Sequence, residues 1–372
     1  EGVTNGKGSN VSGAYRYRPI DNPLGGVSYS EVASGFSFGV ANIDDKHNPV
    51  ELINDITNKS YSRSLRGSAA LSWEIVKGLV ARSELSLTRS SSKSTYYENG
   101  YTNGDKRATL NRGMGDGLRS VSTLNYNFEL GKNNSFSVLL GNEILKSDSE
   151  SSQITGRGYP GTFDYDTTMG LIHTATTSFS ATNSYSVPAR TVSYFGRLSY
   201  TFMDRYLFTG TFRADGSSKF APDNRWGYFP SVSVGWRVIS EEFMQDINWI
   251  SNLKLRASYG ISGNFNIGNY EHIALLSYNQ YVLGKGEGTL VSGLRPSQLP
   301  NDDLSWEKTR MYNVGLDVGL FKDRLTFELD VYQSNTYDLL LDVPIPQITG
   351  FSDMRKNIGE VRNRGVEFTI GT

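Results

Sequence analysis

Cysteine is absent from this chain of 372 residues, which excludes disulfides, thiolate metal sites and cysteine nucleophiles. No apolar run approaches the roughly 18 residues that a membrane-spanning helix needs, so no such helix is predicted. The net charge is -1 and no lysine or arginine run occurs, so nothing suggests a nucleic-acid partner. The chain opens Glu1-Gly2-Val3 without a basic start or an apolar stretch, so no signal peptide is visible. We therefore expect the N-terminus of an exported protein to be missing.

Aromatic residues are abundant, with 22 Tyr, 18 Phe and 5 Trp making up 12% of the chain. Such a content fits the rings of tyrosine and tryptophan that lie at both membrane interfaces of β-barrels. It also fits many sugar-binding β-proteins. Composition therefore leaves a membrane protein and a soluble protein both open.

Alternation of apolar and polar residues is the dominant pattern, and it puts successive side chains on opposite faces of a strand. Between residues 312 and 320, Tyr312, Val314 and Leu316 share one face, while Asn313 and Asp317 share the other. Most such runs are longer than the about 5–6 residues of globular strands and match a tilted bilayer crossing of about 9–11. Similar runs occur near 64–75, 78–89, 118–130, 135–146, 190–202, 205–214, 228–238, 252–262, 325–332 and from 363 onward.

The connections between these runs alternate between short and long. Short turns are predicted at 76–78, 131–134, 203–205 and 321–324, and long polar stretches at 90–117, 147–189, 263–307 and 336–362. Outer-membrane barrels have tight turns on the inside and long loops on the outside. The alternation therefore predicts that the long stretches form the ligand-facing side.

We predict an all-β fold, a transmembrane antiparallel β-barrel that occupies residues 1–372 as one partial barrel domain without a separate second domain. About eleven strands are visible, whereas single-chain bacterial barrels have an even number. The last alternating run also continues almost to Thr372. The chain is therefore expected to be a fragment that lacks strands at both ends.

Several segments from Ser193 onward carry distinctive motifs, and two shorter ones occur upstream, at Tyr17–Ile20 and Trp73–Leu79. The downstream segments are Ser193–Tyr200, Asp204–Thr209, Arg213–Phe220, Asn224–Ser231, Trp249–Gly260, Leu304–Thr309 and Asn357–Glu367. In this order they resemble the SusC/RagA family of TonB-linked outer membrane proteins.

This resemblance implies a 22-stranded barrel closed by an N-terminal plug, of which this chain is about half. It implies a TonB-dependent importer of oligosaccharides or peptides in the bacterial outer membrane, working with a SusD-like surface lipoprotein. The plug and the segment that contacts TonB are then absent from this sequence, so this chain alone should not transport anything. No enzyme activity and no cofactor are expected.

The resemblance also marks candidate site residues. Arg213, Asp215 and the turn Gly216-Ser217-Ser218 are expected to tie an outward loop to the barrel wall through charge-assisted hydrogen bonds. Trp226, Tyr228 and Phe229 suit either an interfacial girdle or an aromatic platform for sugar rings. The girdle is favoured, because amphipathic rings prefer the membrane interface.

Other motifs are interpreted as structural. The pattern Gly35-Phe36-Ser37-Phe38-Gly39 matches a hydrolase elbow but lacks the strand-turn-helix context. Gly156–Gly161 has dinucleotide-binding spacing, yet Pro160 breaks the required helix start. The histidines lack the spacing of metal ligands, and the acidic clusters lack the EF-hand pattern, so solvated loops are favoured. These residues are His47, His173, His272, Asp44-Asp45 and Asn301-Asp302-Asp303.

Two alternatives to the importer stay open. A passive porin has the same strand pattern with an open lumen and no energy coupling. A soluble β-rich glycan-binding or adhesin domain is the other, although its strands are usually shorter.

Overall fold

The computed structural model describes residues 55–100, 104–284 and 288–372, which are almost entirely β-structure. The strands are β1 Ile56–Val76, β2 Leu79–Glu98, β3 Arg107–Glu129, β4 Asn134–Arg157, β5 Ser178–Phe202, β6 Tyr206–Ser217, β7 Trp226–Arg237, β8 Ile250–Asn264, β9 Leu276–Leu283, β10 Thr289–Pro296, β11 Glu307–Leu320, β12 Leu325–Tyr337, β13 Leu340–Pro344, β14 Asp353–Asn357 and β15 Glu360–Gly371. Helical structure is limited to α1 Tyr165–Gly170 and 3-10 turns at Ile172–Thr174, Pro222–Asn224, Val238–Ser240, Glu242–Met244 and Gln347–Thr349. Across these three ranges, no helix is both long and apolar enough to cross a bilayer.

Eleven strands form one sheet in the order β1-β2-β3-β4-β5-β6-β7-β8-β11-β12-β15. This number agrees with the alternation in the sequence. The remaining strands form two separate hairpins, β9-β10 and β13-β14, which lie within the two longest connections. The connection between β7 and β8 contains the 3-10 turn Glu242–Met244.

The chain divides into two compact units, each with its own small core. The first unit contains the described residues up to Leu65 together with Thr88–Asp116 and Ser149–Ser186, and its core is Ala108, Tyr159 and Ile172. The second unit contains Arg66–Leu87, Gly117–Asp148 and Val187–Thr372. The single partial-barrel domain over 1–372 stays a prediction.

In the second unit, the register of the strands places apolar side chains in rows across one face of the sheet. Such a row passes from β5 to β15 through Tyr200, Phe208, Val234, Ala257, Val314, Val331 and Val366. The adjacent row, on the opposite face, is Ser199, Thr209, Ser233, Ser258, Asn313, Tyr332 and Gly365. The alternation read from single strands is thus continuous from strand to strand.

The apolar face is exposed rather than packed against a second layer. Val314 is 58% exposed and Val366 is 67% exposed. A contiguous exposed apolar surface of this kind marks contact with a membrane or a partner. Acyl chains are the natural cover for apolar residues that alternate with lumen-facing polar ones.

Two stretches predicted as long loops are largely strand. β2 and β3 reduce the connection at 90–117 to 99–106, and β4 and β5 reduce 147–189 to 158–177. The β4 extension contains one large apolar side chain, Ile154, and therefore carries no apolar alternation, whereas Phe179, Tyr185 and Val187 do share one face of the β5 extension. Serine hydroxyls pair across β4 and β5, with Oγ–Oγ distances of 3.0 Å for Ser149–Ser186 and 2.9 Å for Ser151–Ser184.

The short connections turn sharply through left-handed backbone. Met203 and Asp204 have φ of 53° and 55°, and Phe321, Lys322 and Asp323 continue the pattern between β11 and β12. Such positive angles suit tight hairpins between twisted strands. We refer below to the end of the sheet at which these short turns lie as the short-turn end, and to the opposite end as the long-loop end.

Candidate functional site

An ion network lies on the polar face near the long-loop end, and Arg213 is its centre. The Nε of Arg213 donates to both carboxylate oxygens of Asp215, at 2.8 and 2.9 Å. Its Nη2 donates to Glu143 at 3.1 Å and to the hydroxyl of Ser193 at 2.9 Å. Arg119 donates to the other oxygen of Glu143 at 2.7 Å. Both carboxylates and Ser193 are buried, so the guanidinium supplies charge where water is scarce.

The predicted Gly216-Ser217-Ser218 turn directly follows this network. The amide of Ser217 donates to the carbonyl of Arg225 at 3.1 Å, and the amide of Ser218 donates to the carbonyl of Arg190 at 2.9 Å. The Ser218 hydroxyl in turn accepts from the amide of Arg190 at 2.9 Å. The signature residues of β6 therefore fasten the 218–225 connection to β5 and to the start of β7.

An aromatic cluster around Trp306 fills the long-loop end of the second unit. The indole is 2% exposed, and its ring centroid lies 5.4 Å from that of Phe220, 5.3 Å from Phe229 and 4.9 Å from Phe265. Its Nε1 donates to the carbonyl of Arg225 at 3.1 Å. Three separate connections of the chain meet at this one side chain.

Side-chain amides fasten two further connections. Asn357 donates to the carbonyls of Ser305 and Asp338, both at 2.9 Å, and accepts from the Ser305 amide at 2.8 Å. Asn301 donates to the carbonyl of Arg355 at 2.7 Å. These bonds satisfy partly buried backbone groups of the long-loop end.

Lys219 holds the start of the β8–β9 connection through backbone carbonyls. Its ammonium donates to the carbonyls of Ile267 at 2.6 Å and Phe265 at 3.4 Å, and burial lowers its pKa. The Nδ1 of His272 lies 3.0 Å from the carbonyl of Lys219 and is the donor, since a carbonyl only accepts. His272 therefore has a structural role, because it joins the β8–β9 connection to the β6–β7 connection.

The three aromatic residues singled out in β7 divide between the two faces. Trp226 and Tyr228 point to the same face as Val232 and Val234 and are 43% and 58% exposed, whereas Phe229 lies on the opposite face and is 7% exposed. Trp226 stacks with Tyr194 at 6.3 Å, and Tyr228 stacks with Phe212 at 6.2 Å, also on the apolar face.

A second band of rings crosses the apolar face near the short-turn end. Its neighbouring centroids lie between 4.6 and 6.5 Å apart. The band was not singled out from the sequence, although its members share the parity of the apolar positions. Its members are Tyr126, Phe128, Phe136, Tyr200, Phe202, Tyr206 and Trp236.

Glu241, in the β7–β8 connection at the short-turn end, binds the last two members of this band. Its Oε1 accepts from the indole of Trp236 at 2.9 Å and from the hydroxyl of Tyr206 at 2.8 Å. Its Oε2 accepts from Arg205 at 2.9 Å. The Trp236 hydrogen bond is the largest of the effects that lower the pKa of this carboxyl group.

Replacing Glu241 with glutamine is expected to remove a pH-dependent part of the stability. A carboxyl whose pKa falls on folding adds stability that is complete above its unfolded pKa of about 4.3 and is lost as the pH falls through the folded value. The melting-temperature gap between wild type and Glu241→Gln should therefore be widest at neutral pH. It should shrink by at least half once the carboxyl is protonated. Thermal melts in detergent from pH 7 to pH 3 measure this gap, and a constant gap would refute the assignment.

Gly263 provides a direct test of packing around Phe229. A methyl group at Gly263 would overlap the Phe229 ring, which Trp306 holds in place. We expect Gly263→Ala to cost about 1–3 kcal/mol, the usual effect of overpacking. Gly67→Ala is the matched control, because a methyl group at Gly67 meets nothing within 4 Å. Urea unfolding in micelles compares the two, and equal midpoints would contradict the packing.

The polar face also carries an ion cluster across β8, β11 and β12. Arg256 donates to Asp317 at 2.7 Å and to Asp330 at 3.0 Å. All three groups come from neighbouring strands, so they reinforce the sheet while keeping this face hydrophilic.

Only some of the motifs interpreted as structural fall within the described residues. Gly35–Gly39, Asp44-Asp45 and His47 lie outside the described residues. At 156–161, the buried hydroxyl of Tyr159 donates to the carbonyl of Ile172 at 2.8 Å, so this stretch packs the first unit. In the described ranges no three His, Asp or Glu side chains group as a metal site.

Comparisons with known proteins agree with this arrangement. Residues 3–372 match the family model described as TonB dependent receptor-like, beta-barrel. The chain is 46% identical to TonB-dependent receptor SusC of Bacteroides thetaiotaomicron over 193 residues, 50% of this chain and 19% of that protein. It is 32% identical to TonB-dependent receptor P3 of Formosa agariphila over 380 residues, 99% of this chain and 36% of that protein.

Among solved structures, the RagAB peptide transporter matches with a TM-score of 0.74 and 27% identity, over 85% of this chain and 34% of that one. The chain thus spans between a fifth and about a third of the length of these relatives. The predicted fold class and the predicted outer-membrane location are confirmed. The chain belongs to the TonB-dependent receptor β-barrel family and is of the SusC/RagA kind.

Proposed function

We propose that the full-length protein imports nutrients across the outer membrane with energy from TonB. The observation that carries this proposal is the two-faced sheet, whose apolar face suits lipid and whose opposite face is lined by serine, threonine and ion clusters. A polar inner wall hydrates a wide lumen without any covalent chemistry. The family membership supports energy coupling over passive diffusion.

The long-loop end supports capture of a substrate together with a partner. The Trp306 cluster and the Arg213 network stabilise the connections on this side, so they form a fixed surface rather than a set of free loops. We propose that a SusD-like surface lipoprotein covers this surface and that TonB acts through a region outside this chain. The proposed substrate class is oligosaccharide or peptide, and the similar RagAB structure is that of a peptide transporter.

We further propose that Trp226 and Tyr228 belong to an outer aromatic girdle. Trp226 and Trp236 are ten residues apart on β7. At about 3.3 Å per residue and a tilt near 40°, they differ in height by about 25 Å, the thickness of the apolar band. Phe229, by contrast, supports the loop cluster from inside. Arg213, Asp215 and Gly216-Ser217-Ser218 keep their proposed role as loop anchors.

The test is growth of a deletion strain, with and without the full-length gene, on a panel of glycans and peptides as sole nutrient. We expect the deletion to lose growth on one class of substrate and the gene to restore it. Restoration should fail when TonB is inactivated. Growth that persists without TonB would favour the passive porin.

Detergent dependence distinguishes the importer from the remaining alternative, a soluble glycan-binding or adhesin domain. A glycan-binding or adhesin domain in solution has no apolar belt and stays monodisperse in plain buffer. We expect the full-length protein to aggregate without detergent, because the Val314 and Val366 row would meet water. Monodisperse protein in buffer would contradict membrane residence.

A further inference from the structure

The apolar face becomes basic where three neighbouring strands approach the long-loop end. Beyond Val314 on β11 the outward positions are Tyr312, Arg310 and Lys308, and beyond Val366 on β15 they are Arg364 and Arg362. The register connects these positions through β12: Arg310 pairs with Asn335, which pairs with Arg362. We call Lys308, Arg310, Arg362 and Arg364 the outer basic patch.

Neighbouring carboxylates do not neutralise the outer basic patch. Nowhere in the described ranges does one of its four cations form an ion pair. The carboxylate on this part of the face, Glu360, accepts a hydrogen bond from Asn335 at 3.2 Å. The guanidinium of Arg310 lies over the Tyr337 ring at 4.5 Å, which orients it without cancelling its charge.

Lys146 allows a comparison, because it is a cation on the same face that has a carboxylate close by. Lys146, which follows the exposed Leu140 and Ile144 on β4, lies 3.6 Å from the carboxylate of Asp148. The outer basic patch therefore differs from Lys146 by lacking such a partner.

The height of the outer basic patch coincides with the edge of the membrane. Arg310 and Leu320 are ten residues apart on β11, and Leu320 lies next to the short turn. At about 3.3 Å per residue and a tilt near 40°, Arg310 lies about 25 Å above Leu320. Cations at this level meet lipid headgroups rather than acyl chains, and long side chains reach toward them.

We propose that the outer basic patch binds the phosphates of a phosphorylated glycolipid of the outer leaflet, of the lipid A class. Three guanidinium groups and one ammonium lie on the outward face, and none of them forms an ion pair within residues 55–100, 104–284 and 288–372. A guanidinium binds a phosphate through two parallel hydrogen bonds. The apolar residues below, Val314 and Val366, contact the acyl chains of the same molecule. This proposal rests on the membrane placement of the sheet and not on TonB-driven import.

The experiment measures lipid A binding to the full-length protein in nanodiscs by native mass spectrometry. Each basic residue near an anionic lipid surface contributes a factor of about five, so Arg310→Gln/Arg362→Gln/Arg364→Gln should bind lipid A about a hundredfold more weakly. Lys146→Gln, the matched control, should bind within twofold of wild type. Replacing the same three arginines with lysine should restore most of the affinity.

Three further readouts identify the ligand. Wild type should bind dephosphorylated lipid A as weakly as the triple glutamine variant does, and millimolar inorganic phosphate should not displace the glycolipid. Equal binding of both lipids, or ready displacement by phosphate, would overturn the assignment, as would a triple variant that matches Lys146→Gln. Heat-resistant migration in detergent gels confirms that each variant is folded. Nutrient-dependent growth should be unchanged in the triple variant, so this proposal and the importer proposal fail independently.

Discussion

Replacing Arg213 with glutamine is expected to destabilise the protein by about 3 kcal/mol. The guanidinium is the shared partner of two buried carboxylates, Asp215 and Glu143, and its removal leaves negative charges close together in a site with little water. Breaking a buried ion pair by removing one partner usually costs about 3–5 kcal/mol. The lower end applies here, because Arg213 is partly exposed and Arg119 still pairs with Glu143. Urea unfolding of the full-length protein in micelles measures the loss.

Arg82 supplies the control for charge alone. Its ion pair with Glu84 has a length of 2.9 Å but lies in the open, so Arg82→Gln should cost less than about 1 kcal/mol. Adding Asp215→Asn to Arg213→Gln should recover part of the stability, since it removes one uncompensated charge. Equal losses for Arg82→Gln and Arg213→Gln would show that the network does not fasten the long-loop end.

Replacing Trp306 with alanine is expected to cost about 3–5 kcal/mol, the usual range for a buried tryptophan. The side chain contacts rings from three parts of the chain and is almost fully buried. Its loss should also free the connections around it, so limited proteolysis should cut within 265–306 well before the strands are lost.

Two variants separate the causes of the Trp306 effect. Trp306→Phe keeps a ring but loses the donor to the Arg225 carbonyl, so it should cost about 1–2 kcal/mol. Trp249→Ala removes a tryptophan that is 54% exposed and should cost less than Trp306→Phe. If Trp306→Ala left both stability and proteolysis unchanged, the cluster would not organise this surface.

The fold was predictable where one face of a strand meets lipid. Around Val314 the alternation is strict, because a polar side chain there would face acyl chains. The extensions of β4 and β5, around Ser149 and Ser186, were wrongly predicted as loops. The β4 extension is polar on both faces apart from Ile154, and backbone pairing leaves no trace in the order of polar residues. In the β5 extension, Tyr185 and Val187 do alternate with serine, and this signal was missed.

The candidate site was predictable only in part. Arg213, Asp215 and the turn after them form one motif in the sequence, but Glu143 lies 70 positions away from Arg213 and no local pattern connects them. The partnership of Trp306 with Phe229 is equally remote. The sequence did predict that Trp226 and Tyr228 lie on one face of β7 and Phe229 on the other, because residues two apart on a strand share a face.

The alternation of lipid-facing and water-facing side chains can be measured directly, because this chain contains no native thiol. Single cysteines are placed at each position from 312 to 319 of the full-length protein, in which any cysteine outside residues 1–372 is replaced by serine. Each cysteine carries a spin label, and in liposomes the collisions of the label with oxygen and with a water-soluble nickel complex are compared. Labels at 312, 314, 316 and 318 should be accessible to oxygen, and those at 313, 315, 317 and 319 to nickel. A profile without this period of two, or with the two sets exchanged, would contradict the assignment of one face to lipid and the other to an aqueous interior.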